Sequence, residues 1–261
     1  MDLGLKGKNA VVTGGSRGLG AAIADVLASE GMNVVLIARD AKALADNAAS
    51  LQTRYGVRAT PHAADLTLIP EIERAAAAAV ATLGTVDVLV NSAGATKRGD
   101  FFALTDADWE SGFGLKFFGA MRLSRALWPS LKESSGAIVN IVGVGARMPS
   151  ADFTIGGSVN AAFLHFTKSL AAIGTRDGVR VNAINPGVFE TGRLQQSLRS
   201  AAEQAGVPIA EAAGVLLGKM GVPRFGRPEE VARLVAYLAS GHAAYMNGSA
   251  IEIDGGSQRN I

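Results

Sequence analysis

Seven short runs rich in β-branched residues are spaced along the chain, and longer alanine-rich stretches separate most of them. The runs are NAVVTG (9–14), NVVLIA (33–38), VRATPHA (57–63), VDVLVN (86–91), GAIVNIV (136–142), VRVNAI (179–184) and SAIEID (249–254). Amphipathic patterns near 18–30, 41–55, 68–83, 108–133, 158–175 and 228–240 predict helices between them. Strands that are apolar on both faces and alternate with helices require a parallel sheet covered on both sides. The expected fold class is therefore α/β: a doubly wound parallel sheet of about seven strands with helices on both faces.

Hydrophobic residues make up 48% of the 261 and charged residues 18%, which supports a sizeable core and argues against disorder. No linker and no solenoid repeat interrupts the pattern, so a single domain spanning 1–261 is expected. The least regular piece is 187–227, rich in Gly, Pro, Gln and Ser. A long insertion late in an α/β domain is often a lid over the ligand crevice, and 187–227 is expected to be one. The net charge of +2 comes with no basic block, so nothing points to nucleic acid. With no cysteines there are no disulfides, no thiolate metal sites and no cysteine nucleophile. His62, His165 and His242 are scattered without metal-ligand spacing, so no metal is expected. The opening MDLGLKGKNAVVTGG has no long apolar region, and no uncharged apolar stretch of about 18 residues occurs. A cytoplasmic protein without a membrane span is the default expectation.

VVTGGSRGLGAAIA places Gly14, Gly18 and Gly20 between the first strand and the first helix. The chain must turn sharply there and let a phosphate approach its backbone. Glycine permits both, and the helix N-terminus offers free N–H groups. Ser16, Arg17 and Leu19 share this loop and are grouped with the glycines as cofactor-binding residues.

The spacing Thr13-Gly14-x-x-x-Gly18-x-Gly20 resembles the glycine motif of the short-chain dehydrogenase/reductase family, and the resemblance continues along almost the whole chain. Asp65 and Leu66, after the third strand, look like the family's adenine-contacting pair. NSAG, running from Asn91 through Ala93 to Gly94, is similar to the NNAG motif that stabilises the sheet beside the cofactor. NPGVFET looks like the PG-x-x-x-T segment, whose Pro186, Gly187, Val188 and Thr191 would lie along the nicotinamide. GRPEEVARLVAYLAS and NGSAIEIDGG match the C-terminal helix and last strand. The resemblance implies a Rossmann fold, a nicotinamide dinucleotide, a small-molecule substrate, and a homodimer or homotetramer joined through the two long helices.

The cofactor choice can be argued from charge. NAD-preferring relatives carry an acidic residue at the end of the second strand, where this chain has Ala38 followed by Arg39. Arg17 and Arg39 would suit a 2′-phosphate, so NADP is expected, with NAD as the runner-up. Asp40 is a counter-argument, because it could reach the same place.

The resemblance then breaks. In the family a tyrosine handles the proton, and a lysine four residues later lowers its pKa. A serine thirteen residues before the tyrosine orients the carbonyl, and an asparagine on the preceding long helix holds a water against the lysine. Aligned by spacing, these positions are Gly156 (tyrosine), Asn160 (lysine), Gly143 (serine) and Lys116 (asparagine). Glycine has no side chain to move a proton, so the standard mechanism cannot run through Gly143 and Gly156. Because the asparagine and lysine identities have exchanged, an ammonium can enter the site from the other helix, which makes Lys116 the one catalytic candidate. An enlarged pocket is expected beside Gly156. His165, Ser158, Thr154, Asp152 and Glu190 are weaker candidates, each better read as packing, capping or surface.

Three functions follow from these residues: an oxidoreductase with non-standard or impaired catalysis, a cofactor-binding pseudoenzyme such as a sensor or inactive subunit, or a non-redox lyase or isomerase on the same fold.

Overall fold

The computed structural model describes residues 1–258, so the last residues of the expected 1–261 domain lie outside the described residues. Each β-branched run forms a strand: β1 Asn9–Thr13, β2 Asn33–Ala38, β3 Ala59–Ala63, β4 Val88–Asn91, β5 Ala137–Ile141, β6 Arg180–Pro186 and β7 Ala250–Ile253. All pair in parallel, in the order β3-β2-β1-β4-β5-β6-β7. The winding direction reverses between β1 and β4. A doubly wound sheet binds its ligands in the crevice at that reversal, beyond the carboxyl ends of the strands.

Nine α-helices connect the described strands: α1 Gly18–Ser29, α2 Ala41–Tyr55, α3 Ile69–Leu83, α4 Asp106–Phe113, α5 Ala120–Glu133, α6 Thr154–Asp177, α7 Gly192–Ala205, α8 Ile209–Met220 and α9 Pro228–Ala239. Alternate strand residues face opposite helix layers. Val12, Leu36, Val90 and Ile184 pack against Ile23 and Leu27 of α1, Leu44 of α2 and Val235 of α9. Val11, Ile37, Leu89 and Ile138 pack against Ile72 of α3 and Leu123 and Leu127 of α5. Burial of each such side chain contributes roughly 1.5–3 kcal/mol. Among the described residues, no helix is long and apolar enough to cross a membrane.

Three sequence expectations are corrected. Residues 187–227 are largely helical: α7 and α8 form a small core of Leu194, Leu198 and Phe225 with Leu216 and Leu217. Leu194, Leu198 and Ala202 recur every four residues along α7, a stripe masked by the polar residues around it. The long helix predicted over 108–133 is continuous but changes its winding, with a π-helical turn at Gly114–Gly119 between α4 and α5. Helix α6 begins at Thr154 rather than 158, so Gly156 and Gly157 lie inside its first turn rather than ahead of it.

Candidate active site

The crevice starts at the turn between β1 and α1. Gly14 holds φ at +69°, and a Cβ there would stand 3.1 Å from the Ser92 carbonyl oxygen. At Gly20 a Cβ would fall on the Gly14 carbonyl group. The turn is thus closed so tightly that side chains are excluded from these two positions. Asn47 of α2 braces it, its Nδ2 donating to the Gly15 carbonyl at 2.7 Å. Thr13 Oγ1 accepts the Ser92 N–H at 2.9 Å and the Ala93 N–H at 3.0 Å, and so joins the glycine turn to NSAG. Asn91 donates to Asn140 Oδ1 at 2.9 Å and to Ser124 Oγ at 3.1 Å, which pins β4 to β5 and α5.

Arg17 and Arg39 are both exposed, and neither forms an ion pair among the described residues. Asp40, the counter-argument for NAD, is engaged as the N-cap of α2, its Oδ1 accepting the Ala43 N–H at 3.0 Å. The Thr67 N–H, with help from the Thr67 hydroxyl and the nearby Arg39 charge, holds the Asp65 carboxyl below its ordinary range. Leu66 is buried in the core. Ser16 and Leu19 are half-buried on the same loop. Pro186 is buried in β6, and a Cβ at Gly187 would meet Asp254 at 2.9 Å. Val188 packs on the α7–α8 core, and the methyl of Thr191 lies 3.8 Å from where a Cβ on Gly18 would stand.

At the other end of the crevice, the π-helical turn carries Lys116. Its stem runs against Gly94, where a Cβ would come within 3.0 Å of Lys116 Cδ. Its Nζ donates to the Val142 carbonyl at 2.5 Å and to Asn160 Oδ1 at 2.5 Å. The residue as a whole is half-buried, but the ammonium lies deep. Burial, with a smaller contribution from the Arg193 charge, pushes its pKa down to about 7. The two exchanged residues therefore meet directly.

Asn160 also covers the serine position: its Nδ2 lies 3.2 Å from where a Cβ on Gly143 would stand. Gly143 N–H in turn donates to Asn185 Oδ1 at 3.4 Å, and Asn185 Nδ2 donates to Glu252 Oε1 at 2.9 Å.

The expected vacancy at Gly156 is not there. A Cβ at Gly156 would fall within the ring of Phe153, which also packs on Gly145. Arg98 stacks on the outer face of that ring, its guanidinium carbon 3.9 Å from the ring centroid, and pairs with Asp152 at 3.0 Å. The far edge of an aromatic ring from the preceding turn occupies the place of a side chain at position 156. Phe153 and Arg98 were not singled out from sequence. The available signal was a phenylalanine three residues before a glycine. Of the weaker candidates, Asp152 is held by Arg98 and Ser150, while Ser158 and Glu190 are exposed. Among the described residues, no three His, Asp or Glu side chains form a group that could hold a metal ion.

The chain is similar to known proteins over nearly its full length. It is 33% identical to the short-chain reductase protein NovJ of Streptomyces niveus, over 95% of this chain and 92% of that protein. L-sorbose reductase from Gluconobacter frateurii, solved with NADPH and L-sorbose, superposes with a TM-score of 0.96 at 32% identity, covering 100% of both chains. The NADPH-bound short chain oxidoreductase from Pseudomonas aeruginosa PAO1, described as containing an atypical catalytic center, gives 0.89 at 32% identity, over 97% of this chain and 98% of that one. The short chain dehydrogenase profile matches residues 8–202, a span that takes in the glycine turn, Lys116, Asn160 and most of α7. With its switch-point crevice, its excluded side chains at Gly14 and Gly20 and these full-length relatives, the chain belongs to the short-chain dehydrogenase family.

Proposed function

We propose that this protein is an NADP(H)-dependent oxidoreductase of small-molecule carbonyls or alcohols in which Lys116 handles the proton. The carrying observation is the geometry of Lys116. Two of its three possible N–H bonds go to Val142 O and Asn160 Oδ1, and the third is left for a substrate oxygen. An amine with a pKa of about 7 can both give and take a proton near neutrality. Asn160 fixes the direction of the ammonium, and the Val142 carbonyl keeps it at the end of β5. The glycine turn (Gly14, Ser16, Arg17, Gly18, Leu19, Gly20) with Arg39, Asp65, Leu66, Asn91, Ala93, Gly94, Pro186, Gly187, Val188 and Thr191 would hold the dinucleotide. Arg17 and Arg39 would face its 2′-phosphate, and the NADPH complexes of the solved relatives support that choice. When bound, the dinucleotide supplies or accepts the hydride.

The test is a pH profile. Carbonyl reduction needs the ammonium, so kcat/KM is expected to fall as pH rises through about 7. Alcohol oxidation needs the free amine and is expected to rise through the same range. A flat profile between pH 6 and 8 in both directions would remove Lys116 from the chemistry.

A second reading, a cofactor-binding protein without turnover, is favoured by the Phe153 ring filling the tyrosine position. It expects NADPH affinity with no oxidation against any carbonyl class. Exposed Phe102, Phe118 and Ile173, on or beside the two long helices, support a homodimer or homotetramer formed through them.

A further inference from the structure

Arg193 stands exposed in the first turn of α7, and its Nη2 donates to the Gly94 carbonyl at 2.8 Å, 99 residues away in the chain. Two residues earlier Thr191 lies over Gly18. The segment 191–193 therefore crosses the crevice from the glycine turn to NSAG, above the ends of β1 and β4. Some surface arginines have carboxylate partners, Arg98 with Asp152 at 3.0 Å and Arg224 with Glu230 at 2.7 Å, whereas Arg17 and Arg39 at the crevice form no ion pair among the described residues. Among the described residues Arg193 has none, and its bond to Gly94 uses one of five N–H donors. Across Gly94 its charge is felt at Lys116, and among the described residues neither cation forms an ion pair with a carboxylate. Two cations close enough to feel each other repel, and an anion placed between them relieves both. A planar guanidinium fork matches the paired oxygens of a phosphate or carboxylate far better than it matches a single carbonyl.

We propose that Arg193 is an anion clamp: it trades the Gly94 carbonyl for an oxyanion of the ligand in the crevice and draws α7 over it. This rests on the crevice being the dinucleotide site. The oxyanion has two sources, the diphosphate of the dinucleotide or a carboxylate of the substrate, and binding measurements separate them without requiring turnover. NADPH is titrated by its fluorescence into the wild-type protein, Arg193→Ala and Arg193→Lys. Melting of the NADPH-loaded proteins is then followed with pyruvate and with its methyl ester.

If the diphosphate is the partner, Arg193→Ala weakens NADPH binding about tenfold or more, Arg193→Lys weakens it less, and added salt narrows the gap. If a substrate carboxylate is the partner, NADPH affinity is unchanged. Pyruvate then raises the melting temperature of the loaded wild type but not of Arg193→Ala, and the ester raises neither. NADPH affinities within twofold of each other, together with no Arg193-dependent response to pyruvate, would overturn the clamp. A wild-type protein that binds no NADPH overturns the dinucleotide reading and the clamp with it. Loss of turnover in Lys116 variants leaves these binding results intact, so failure of the proton role and failure of the clamp are told apart. Arg193 is exposed, so both variants are expected to melt within a few degrees of wild type.

Discussion

The two ends of the crevice use glycine in different ways. At the glycine turn, Gly14 and Gly20 keep side chains out so that backbone can approach backbone. At the Lys116 end, Gly143 and Gly156 make room for neighbouring side chains: Asn160 leans over one and Phe153 lies on the other. A missing side chain is thus no measure of an empty site. The first pair is a property of a local turn and can be read from spacing. The second pair is a property of tertiary packing, and its meaning appears only when the partner is seen.

The contrast can be tested by substitution, and the largest effect is expected at Lys116. Lys116→Met keeps the apolar stem against Gly94 but removes the ammonium. If proton work resides there, kcat is expected to fall by about 10²–10⁴, with NADPH affinity retained. Unchanged turnover would make the Lys116 end a packed surface only. Next is the attempt to restore the phenol. Gly156→Tyr forces a side chain into the Phe153 ring and is expected to cost about 1–3 kcal/mol by denaturant titration, without gain of activity. Adding Phe153→Ala is expected to recover part of that loss. If Gly156→Tyr alone proves stable, the glycine is not a seat for the ring.

A smaller effect sharpens the glycine-turn side. Arg39→Ala is expected to reduce the preference for NADPH over NADH about tenfold in binding titrations, with little change in NADH affinity. Equal losses for both dinucleotides would mean that Arg39 does not face the 2′ position. The smallest is Arg98→Ala, which strips the outer face of the Phe153 ring. A cation–π contact at an exposed site is worth about 0.5–1 kcal/mol, which corresponds to a melting shift of about 1–4 °C. No shift would mean that the ring is held by the glycines alone.

Most of the fold was legible because buried parallel strands write themselves as β-branched runs. All seven runs became strands, and even the strand ends moved by only a residue or two. Helix α2 was legible over its full length, Ala41–Tyr55, for a related reason: its cap Asp40 and its terminating Gly56 mark both ends. Helices α7 and α8 were not: polar residues outweighed the Leu194–Leu198–Ala202 stripe of α7, the glycines of α8 (Gly214, Gly218) weakened its helical pattern, and their core is completed by Phe225 from the loop that follows α8. In the site, the meeting of Lys116 with Asn160 followed from the exchange of two identities. The plug of Phe153 and Arg98 did not, because Arg98 comes from a separate loop and no local pattern joins it to Phe153.

The hydroxyl of Thr13 has a mechanical consequence. By taking N–H bonds from both Ser92 and Ala93, it fastens β1 to the turn after β4 at the point where the sheet changes direction. Opening the floor there would break both bonds and disturb the Asn91–Asn140 pair beside it. The floor is therefore braced, and on the proposal that Arg193 draws α7 over a ligand, the α7–α8 segment would be the wall that moves. How long a ligand stays bound would then depend on how often that wall swings away, and mutations in the small core of Leu194, Leu198 and Phe225 are expected to change its departure rate in stopped-flow release of NADPH.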